Sequence, residues 1–265
     1  MKCFPHCKIN IGLHVVERRS DGYHNLETIF FPVHGLRDEL EIERSDRETI
    51  ELEGVPLDCP DSQNVCLKAY HMLRADFPER VGPVAIRLRK NIPFGAGLGG
   101  GSSDGAFALK MLDEIFGLSL GSERLHSYAA RLGADCSFFI DNHACYATGI
   151  GDMLEPAEVA LGDYKLALYK PDEAVSTREA YRGIVPHRHA VDLRQAVRRP
   201  IEEWKGMVVN DFEDVVFAGH PAIAKLKAML YEAGAAFASM SGSGSTVFGI
   251  FPPDVEPCSC KERIL

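Results

Sequence analysis

No stretch of this chain is long and apolar enough to cross a bilayer. Its first residues show no secretory apolar core, so the expectation is a cytoplasmic protein with no membrane partner. Positive charge is also scarce: 29 Lys and Arg face 38 Asp and Glu, a formal net charge of −9. That balance argues against non-specific binding to nucleic acid or to an anionic membrane. An anionic substrate must then be held by local cations and backbone amides, against an unfavourable mean field. The eight cysteines (Cys3, Cys7, Cys59, Cys66, Cys136, Cys145, Cys258 and Cys260) include no C-x-x-C pair, and reduced thiols are expected. Cys258-Ser259-Cys260 offers only two thiols, an incomplete metal site. What remains is ordinary globular material: 265 residues, 46% hydrophobic and 25% charged, enough for one large domain or two packed ones.

Further absences narrow the meaning of Pro93-Phe94-Gly95-Ala96-Gly97-Leu98-Gly99-Gly100-Gly101-Ser102-Ser103-Asp104. Upstream, Val84 to Arg89 alternates apolar and polar residues like a strand. Downstream, Ala108, Leu109, Leu112, Ile115 and Phe116 recur at helical spacing. The glycine run therefore joins a strand to a helix and ends near the first helical turn. Glycines allow positive φ and close backbone approach, and a helix start offers unpaired N–H groups with partial positive charge. The physical reading is a phosphate cradle. No Gly-Lys-Ser/Thr occurs, which excludes a Walker-type loop. Gly95, Gly97 and Gly100 satisfy G-x-G-x-x-G, but the next segments read as helices, the second over Ser122 to Leu132, where a dinucleotide fold needs a strand ending in an acid. A protein-kinase reading fails as well, because the preceding strand carries Arg87 instead of lysine and the companion loops are missing.

The form P-x-x-x-G-L-G-G-G-S-S-D resembles the second motif of the GHMP kinases (galactokinase, homoserine kinase, mevalonate kinase, phosphomevalonate kinase). Cys7-Lys8-Ile9-Asn10-Ile11-Gly12-Leu13, then Arg19-Ser20-Asp21-Gly22-Tyr23-His24-Asn25-Leu26-Glu27-Thr28, resembles the first motif of one branch. The alcohol phosphorylated by that branch is a cytidine diphosphate-linked methylerythritol, and D-G-Y-H is its distinguishing element. Met240-Ser241-Gly242-Ser243-Gly244-Ser245-Thr246-Val247-Phe248 resembles the third motif, and Asn210-Asp211-Phe212-Glu213 also matches family text.

Read alone, several residues have plainer meanings. Lys8 lies on the polar face of a strand alternating from Phe4 to Val15, where it would face solvent. Asp135 sits between a helix stopped by Gly133 and an apolar, strand-like run to Ile140, where it would be a cap or turn acid. Thr177 and Tyr181 would be a helix-capping threonine and a packed tyrosine.

The resemblance implies more. Asp135 becomes the catalytic base and Lys8 its partner. Pro93, Phe94, Gly95, Ala96, Gly97, Leu98, Gly99, Gly100, Gly101, Ser102 and Ser103 hold ATP, with Asn64 and Lys90 near the adenine. Asn10, Tyr23, His24, Thr177, Tyr181 and Gly242 bind the substrate, Tyr181 stacking on the cytosine opposite Tyr23. Mg²⁺ accompanies ATP, with ligands that no pattern identifies. The fold implied is α+β: a ribosomal-protein-S5-like part over 1–150 and a ferredoxin-like part over 151–265. The reaction implied gives the 2-phosphate and ADP, in the non-mevalonate route to isoprenoids. A homoserine- or mevalonate-type kinase is the first alternative, opposed by D-G-Y-H and the Thr177/Tyr181 pair. A non-catalytic nucleotide-binding regulator is the second, opposed by the presence of both Lys8 and Asp135.

Elsewhere the pattern predicts strands over Glu27 to Val33 and Leu36 to Glu43, a helix over Asn64 to Phe77, a turn at Cys59-Pro60-Asp61-Ser62 and a hairpin over Ala144 to Met153. A strand over Tyr164 to Tyr169, a helix opening at Ser176 or Thr177 and a helix over Pro221 to Ala233 follow. The basic segment 187–207 reads as a solvated helical face, and no pattern bears on oligomeric state.

Overall fold

The computed structural model describes residues 1–56, 60 and 63–265. The turn expected at Cys59-Pro60-Asp61-Ser62 lies, Pro60 apart, outside the described residues. In chain order the elements begin with β1 (Lys2–Cys3), β2 (His6–Arg18), β3 (His24–Arg37), β4 (Glu39–Arg44), β5 (Thr49–Gly54), α1 (Val65–Asp76) and β6 (Val84–Lys90). They continue with α2 (Gly100–Phe116), α3 (Gly121–Leu132), α4 (Phe138–Asp141), β7 (Cys145–Thr148), β8 (Met153–Pro156) and β9 (Lys165–Tyr169). The remainder is α5 (Thr177–Arg182), α6 (Leu193–Ala196), α7 (Phe212–Gly219), α8 (Pro221–Glu232), β10 (Phe237–Met240) and β11 (Val247–Phe251). Two units emerge: Met1–Cys7, Val33–Phe94 and Gly99–Asn142 form one, and Lys8–Pro32, Gly95–Leu98 and His143–Leu265 the other.

The first unit packs helices on a four-stranded sheet of order β1-β4-β6-β5. β4 runs antiparallel and β5 parallel to β6, so Ile42 and Ile50 both oppose Ile86. Along β6 the even positions Val84, Ile86 and Leu88 are buried while Arg87 and Arg89 are exposed and paired with Glu51 and Glu53. Lys90 falls in the buried phase of that alternation, so its ammonium must find partners inside. Cys66, Tyr70 and Leu73 of α1, Leu109, Leu112 and Phe116 of α2, and Tyr128 and Ala129 of α3 complete this core. α1 starts where the Asn64 side chain accepts the Cys66 N–H at 2.9 Å, a normal N-cap.

Two expectations in this unit change. The apolar run after Asp135 is a 3₁₀ turn (Ala134–Cys136) followed by the helical turn α4, not a strand. The Lys110 ammonium binds the Phe139 and Ile140 carbonyls at 2.9 and 3.3 Å, closing that helical turn at the end where cations stabilise it. α3 does stop at Gly133, but with an extended φ of 171°, so no left-handed cap is involved.

The second unit holds two sheets, β2-β3-β7-β8 and β10-β11-β9. β11 lies central in the latter, antiparallel to both neighbours. Ile223, Leu226 and Leu230 of α8 pack with Ala167, Tyr169, Met240, Val247 and Phe251. The last residues continue this sheet's edge: Ile264 N–H donates to the Leu168 carbonyl and Lys170 N–H to the Glu262 carbonyl, at 2.8 and 2.7 Å. An edge strand is thereby covered. Segment 187–207 is mostly irregular instead of a solvated helical face, with Leu193, Val197, Ile201 and Trp204 buried and Arg194, Arg198 and Arg199 exposed. The largest departure is β2, expected to have one polar face: every residue from His6 to Val15 is buried. Among the described residues no helix is long and apolar enough to cross a membrane.

Ile86→Ala should test the first core. Removing a fully buried side chain opposed on both sides is expected to cost about 2–5 kcal/mol, read as a lower urea midpoint at unchanged slope.

Candidate active site

A lysine and an asparagine buried on β2 dictate the local geometry. Lys8 is 4% exposed; its ammonium donates to Asn10 Oδ1 at 2.6 Å and lies 4.7 Å from the centroid of the Phe30 ring. Asn10 Nδ2 donates to Thr28 Oγ1 at 2.9 Å, and Thr28 donates to the Gly12 carbonyl at 2.5 Å. The line Lys8–Asn10–Thr28–Gly12 gives these buried groups partners within the protein. Leaving any one unpaired would cost about 1–3 kcal/mol.

The same unit contains the second glycine loop. Ser241 Oγ donates to the Gly97 carbonyl at 2.8 Å and accepts the Asn10 N–H at 3.2 Å, while Thr246 N–H reaches the Ala96 carbonyl at 3.3 Å. Lys8 N–H donates to the Leu98 carbonyl at 3.0 Å. Ala96 and Leu98 are buried anchors, whereas Gly95 is exposed. Gly97 has φ +76°, and a Cβ there would lie 2.0 Å from the Ser241 carbonyl oxygen, so only glycine fits. The Gly242 carbonyl accepts from Asn210 Nδ2 at 2.9 Å, and the same amide reaches the Met240 carbonyl at 2.7 Å. Glu213 accepts from Ser239 Oγ and the Met240 N–H at 3.0 and 2.8 Å.

In the first unit, α2 begins after Gly99 in the left-handed conformation, with no side chain capping it. Its first intrahelical bond runs from Ser103 N–H to the Gly99 carbonyl, so the N–H groups of Gly100, Gly101 and Ser102 have no intrahelical acceptor. That uncapped start fits an anion such as a phosphate. Pro93 is half-buried and Phe94 exposed just before it. Ser103 Oγ is buried without a hydrogen-bond partner. Asp135 is half-buried in the 3₁₀ turn after α3, and its neighbour Cys136 bonds to Ser102 on the first turn of α2. Asn64 is occupied in capping α1. Lys90 is occupied too: its ammonium binds Asp38 and, at 2.6 Å, Asp104, all three essentially buried. Asp38 Oδ1 also takes the N–H groups of Asn91 and Ile92 at 2.6 and 2.8 Å. Burial works against the Lys90 charge, but Asp104 and Asp38 overcome it and raise its pKa. Burial pushes the Asp104 carboxyl up to about 8, with Lys90 opposing and Asp38 reinforcing.

His24, Tyr181 and Phe212 form one aromatic group in the second unit. The His24 ring stacks on Tyr181 at 4.8 Å between centroids, Tyr181 meets Phe212 edge-on at 4.8 Å, and Tyr23 stands 63% exposed. Thr177 opens α5 and its hydroxyl lies 3.2 Å from Ser243 Oγ, while Ser176 supplies the cap. Partial burial, with the Arg18 charge adding, holds the His24 imidazole below its ordinary pKa.

Sequence reasoning passed over Thr28, Asp38, Asn210, Glu213 and Ser241 as structural parts of this arrangement. Asn210 and Glu213 had a signal, since their motif had been noted without a role. Asp38, a lone acid ahead of a strand, had none.

Gly97→Ala is expected to lower stability by at least about 1–2 kcal/mol from the left-handed backbone alone, with a further loss as Ser241 is displaced, read by thermal unfolding. Asp104 yields a pH prediction. The folded state retains a proton that the unfolded chain gives up near pH 4. The resulting stability is complete at low pH and is lost as pH rises from about 4 to about 8. Urea midpoints across that window should fall less steeply in Asp104→Asn than in the parent.

The GHMP kinases N terminal domain matches residues 64–149, and the GHMP kinases C terminal domain matches residues 192–261. A 4-diphosphocytidyl-2-C-methyl-D-erythritol kinase of Parabacteroides distasonis is 49% identical over 265 residues, covering 100% of this chain and 96% of the relative. A kinase of the same description from Bacteroides thetaiotaomicron is 48% identical over 258 residues, covering 96% and 93%. The crystal structure of a 4-(cytidine 5'-diphospho)-2C-methyl-D-erythritol kinase superposes with a TM-score of 0.80 at 30% identity, covering 94% of this chain and 90% of that one. Mevalonate kinase of Methanococcus jannaschii shares the fold, with a TM-score of 0.67 at 13% identity over 96% and 92%. Matched in order by both halves of the family and nearly half-identical to members along its whole length, this chain belongs to the GHMP kinases, whose α+β fold it has.

Proposed function

We propose that this kinase transfers the γ-phosphoryl group of ATP to the 2-hydroxyl of 4-diphosphocytidyl-2-C-methyl-D-erythritol, giving its 2-phosphate and ADP in the methylerythritol phosphate route to isopentenyl diphosphate. The observation that carries this reading is the 49% identity over 265 residues to a relative of that name. The aromatic group at His24 and Tyr181 supports it, because neither homoserine nor mevalonate has a ring to stack.

The phosphates of ATP lie along Gly95 to Ser103, on the uncapped N–H groups of α2. Mg²⁺ entering with ATP supplies charge neutralisation when bound. Ser102 and Ser103 are the hydroxyls that would hold it, since Asp104 is engaged by Lys90. Asp135 accepts the proton of the 2-hydroxyl, the 2-oxygen bonds to the γ-phosphorus, and the bridge to the β-phosphate breaks to release ADP. Lys8, held in place by Asn10, is the partner of that base. Tyr23 and Tyr181 face the cytosine, and a neutral His24 donates and accepts at its edge. Thr177, Asn10 and Gly242 line the remainder of the substrate.

ADP release should be seen with the cytidyl substrate and not with mevalonate or homoserine. Asp135→Asn is expected to lower kcat by about 10²–10⁴-fold with ATP binding intact. Tyr181→Ala should raise KM for the cytidyl alcohol by up to about tenfold. Equal turnover of all three alcohols would overturn the substrate assignment. Full activity of Asp135→Asn would overturn the base.

A further inference from the structure

We propose that the second unit carries a binding site for a borderline transition-metal dication such as Zn²⁺ or Co²⁺, formed by His187, His189 and Asp211 and separate from any Mg²⁺ that accompanies ATP. Among the described residues this is the one set of His, Cys, Asp and Glu whose donor atoms converge, each within 4.8 Å of the others. His189 Nε2 lies 2.9 Å from Asp211 Oδ1, and the His187 and His189 rings are 4.2 Å apart between centroids. A tetrahedral zinc with bonds of 2.0–2.1 Å separates its ligand atoms by about 3.3 Å, so side-chain rotation alone brings this set into range.

The ligands are held by β2. His187 N–H donates to the Val15 carbonyl at 3.0 Å, and Asp211 N–H donates to the Leu13 carbonyl at 2.8 Å. The Asp211 carboxylate also accepts the Val15 N–H at 2.7 Å, which orients it as an outer-shell bond orients a ligand. A salt bridge between His189 and Asp211 would explain those two residues alone. It does not explain a third imidazole: His14 stacks on His189 with centroids 3.6 Å apart, is fully buried, and has no hydrogen-bond partner at either ring nitrogen. Buried polar atoms left in this way call for an absent ligand, an ion or its water.

Two imidazoles and a carboxylate, with no thiolate, select a borderline dication over Mg²⁺, and three protein ligands leave a position for water. Binding forms bonds from the two imidazole nitrogens and the carboxylate to the metal, and any proton on a ligating nitrogen leaves to solvent. The ion would tie segment 187–189 to the start of α7. Asp211 adjoins Asn210, which holds the second glycine loop, and Phe212, on which Tyr181 packs.

The test is isothermal titration of chelator-treated full chain with Co²⁺ and with Zn²⁺, alongside thermal unfolding. Asp211 also bonds to β2, so the exposed His187 is the safer residue to change. One equivalent bound, a rise in the unfolding midpoint that Mg²⁺ does not produce, and affinity at least about tenfold weaker in His187→Ala and in His189→Ala are expected. Cys258→Ser/Cys260→Ser should bind like the parent. No saturable binding in the parent, or binding unchanged in both histidine variants, would overturn the site.

Discussion

Burial of β2 on both faces is the constraint on which the rest of the structure depends. A strand with no solvent-facing side cannot hydrate its polar residues, yet β2 carries His6, Lys8, Asn10 and His14 there. For Lys8 and Asn10 the answer is one continuous line of hydrogen bonds through Thr28 to the Gly12 carbonyl. The strand's backbone serves the surroundings in turn: Lys8 meets Leu98, and Leu13 meets Val209 and Asp211. The same few residues therefore fix both the buried side chains of β2 and the chain segments beside it.

The two glycine loops follow from that arrangement. Gly97 can approach Ser241 only because it lacks a Cβ, and Asn210 and Glu213 brace the chain just before and within the second loop. Backbone groups fixed in this way need no reorganisation when charge spreads in phosphoryl transfer. In the other unit, the Asp38–Lys90–Asp104 group buries three ionisable side chains behind the start of α2. Such a group contributes little net stability, but removing Lys90 takes away the one cation that both carboxyl groups face.

Local patterns exposed much of this to sequence reading. Period-two burial in β6 and the apolar stripe of α2 were visible because a half-buried element repeats at its own period. β2 was misread for the same reason: alternating polar residues look identical whether they face water or a buried polar line. Lys90 illustrates that ambiguity, a lysine whose true setting depends on Asp38, far away in sequence. The run after Gly133 was too short for periodicity to separate a strand from a helical turn, and Lys110 settled it from a distant helix. Asp38 belongs to a network assembled by the tertiary fold and left no local trace.

The most direct measurement is kcat of Thr28→Val with 4-diphosphocytidyl-2-C-methyl-D-erythritol, read beside its far-UV spectrum. Valine keeps the shape of threonine and removes only the hydroxyl that joins Asn10 to Gly12. If the buried line on β2 positions Lys8 for catalysis, kcat falls at least about tenfold as both hydrogen bonds of that hydroxyl are lost, while the protein stays folded. A folded Thr28→Val enzyme with unchanged kcat would contradict that role for the strand.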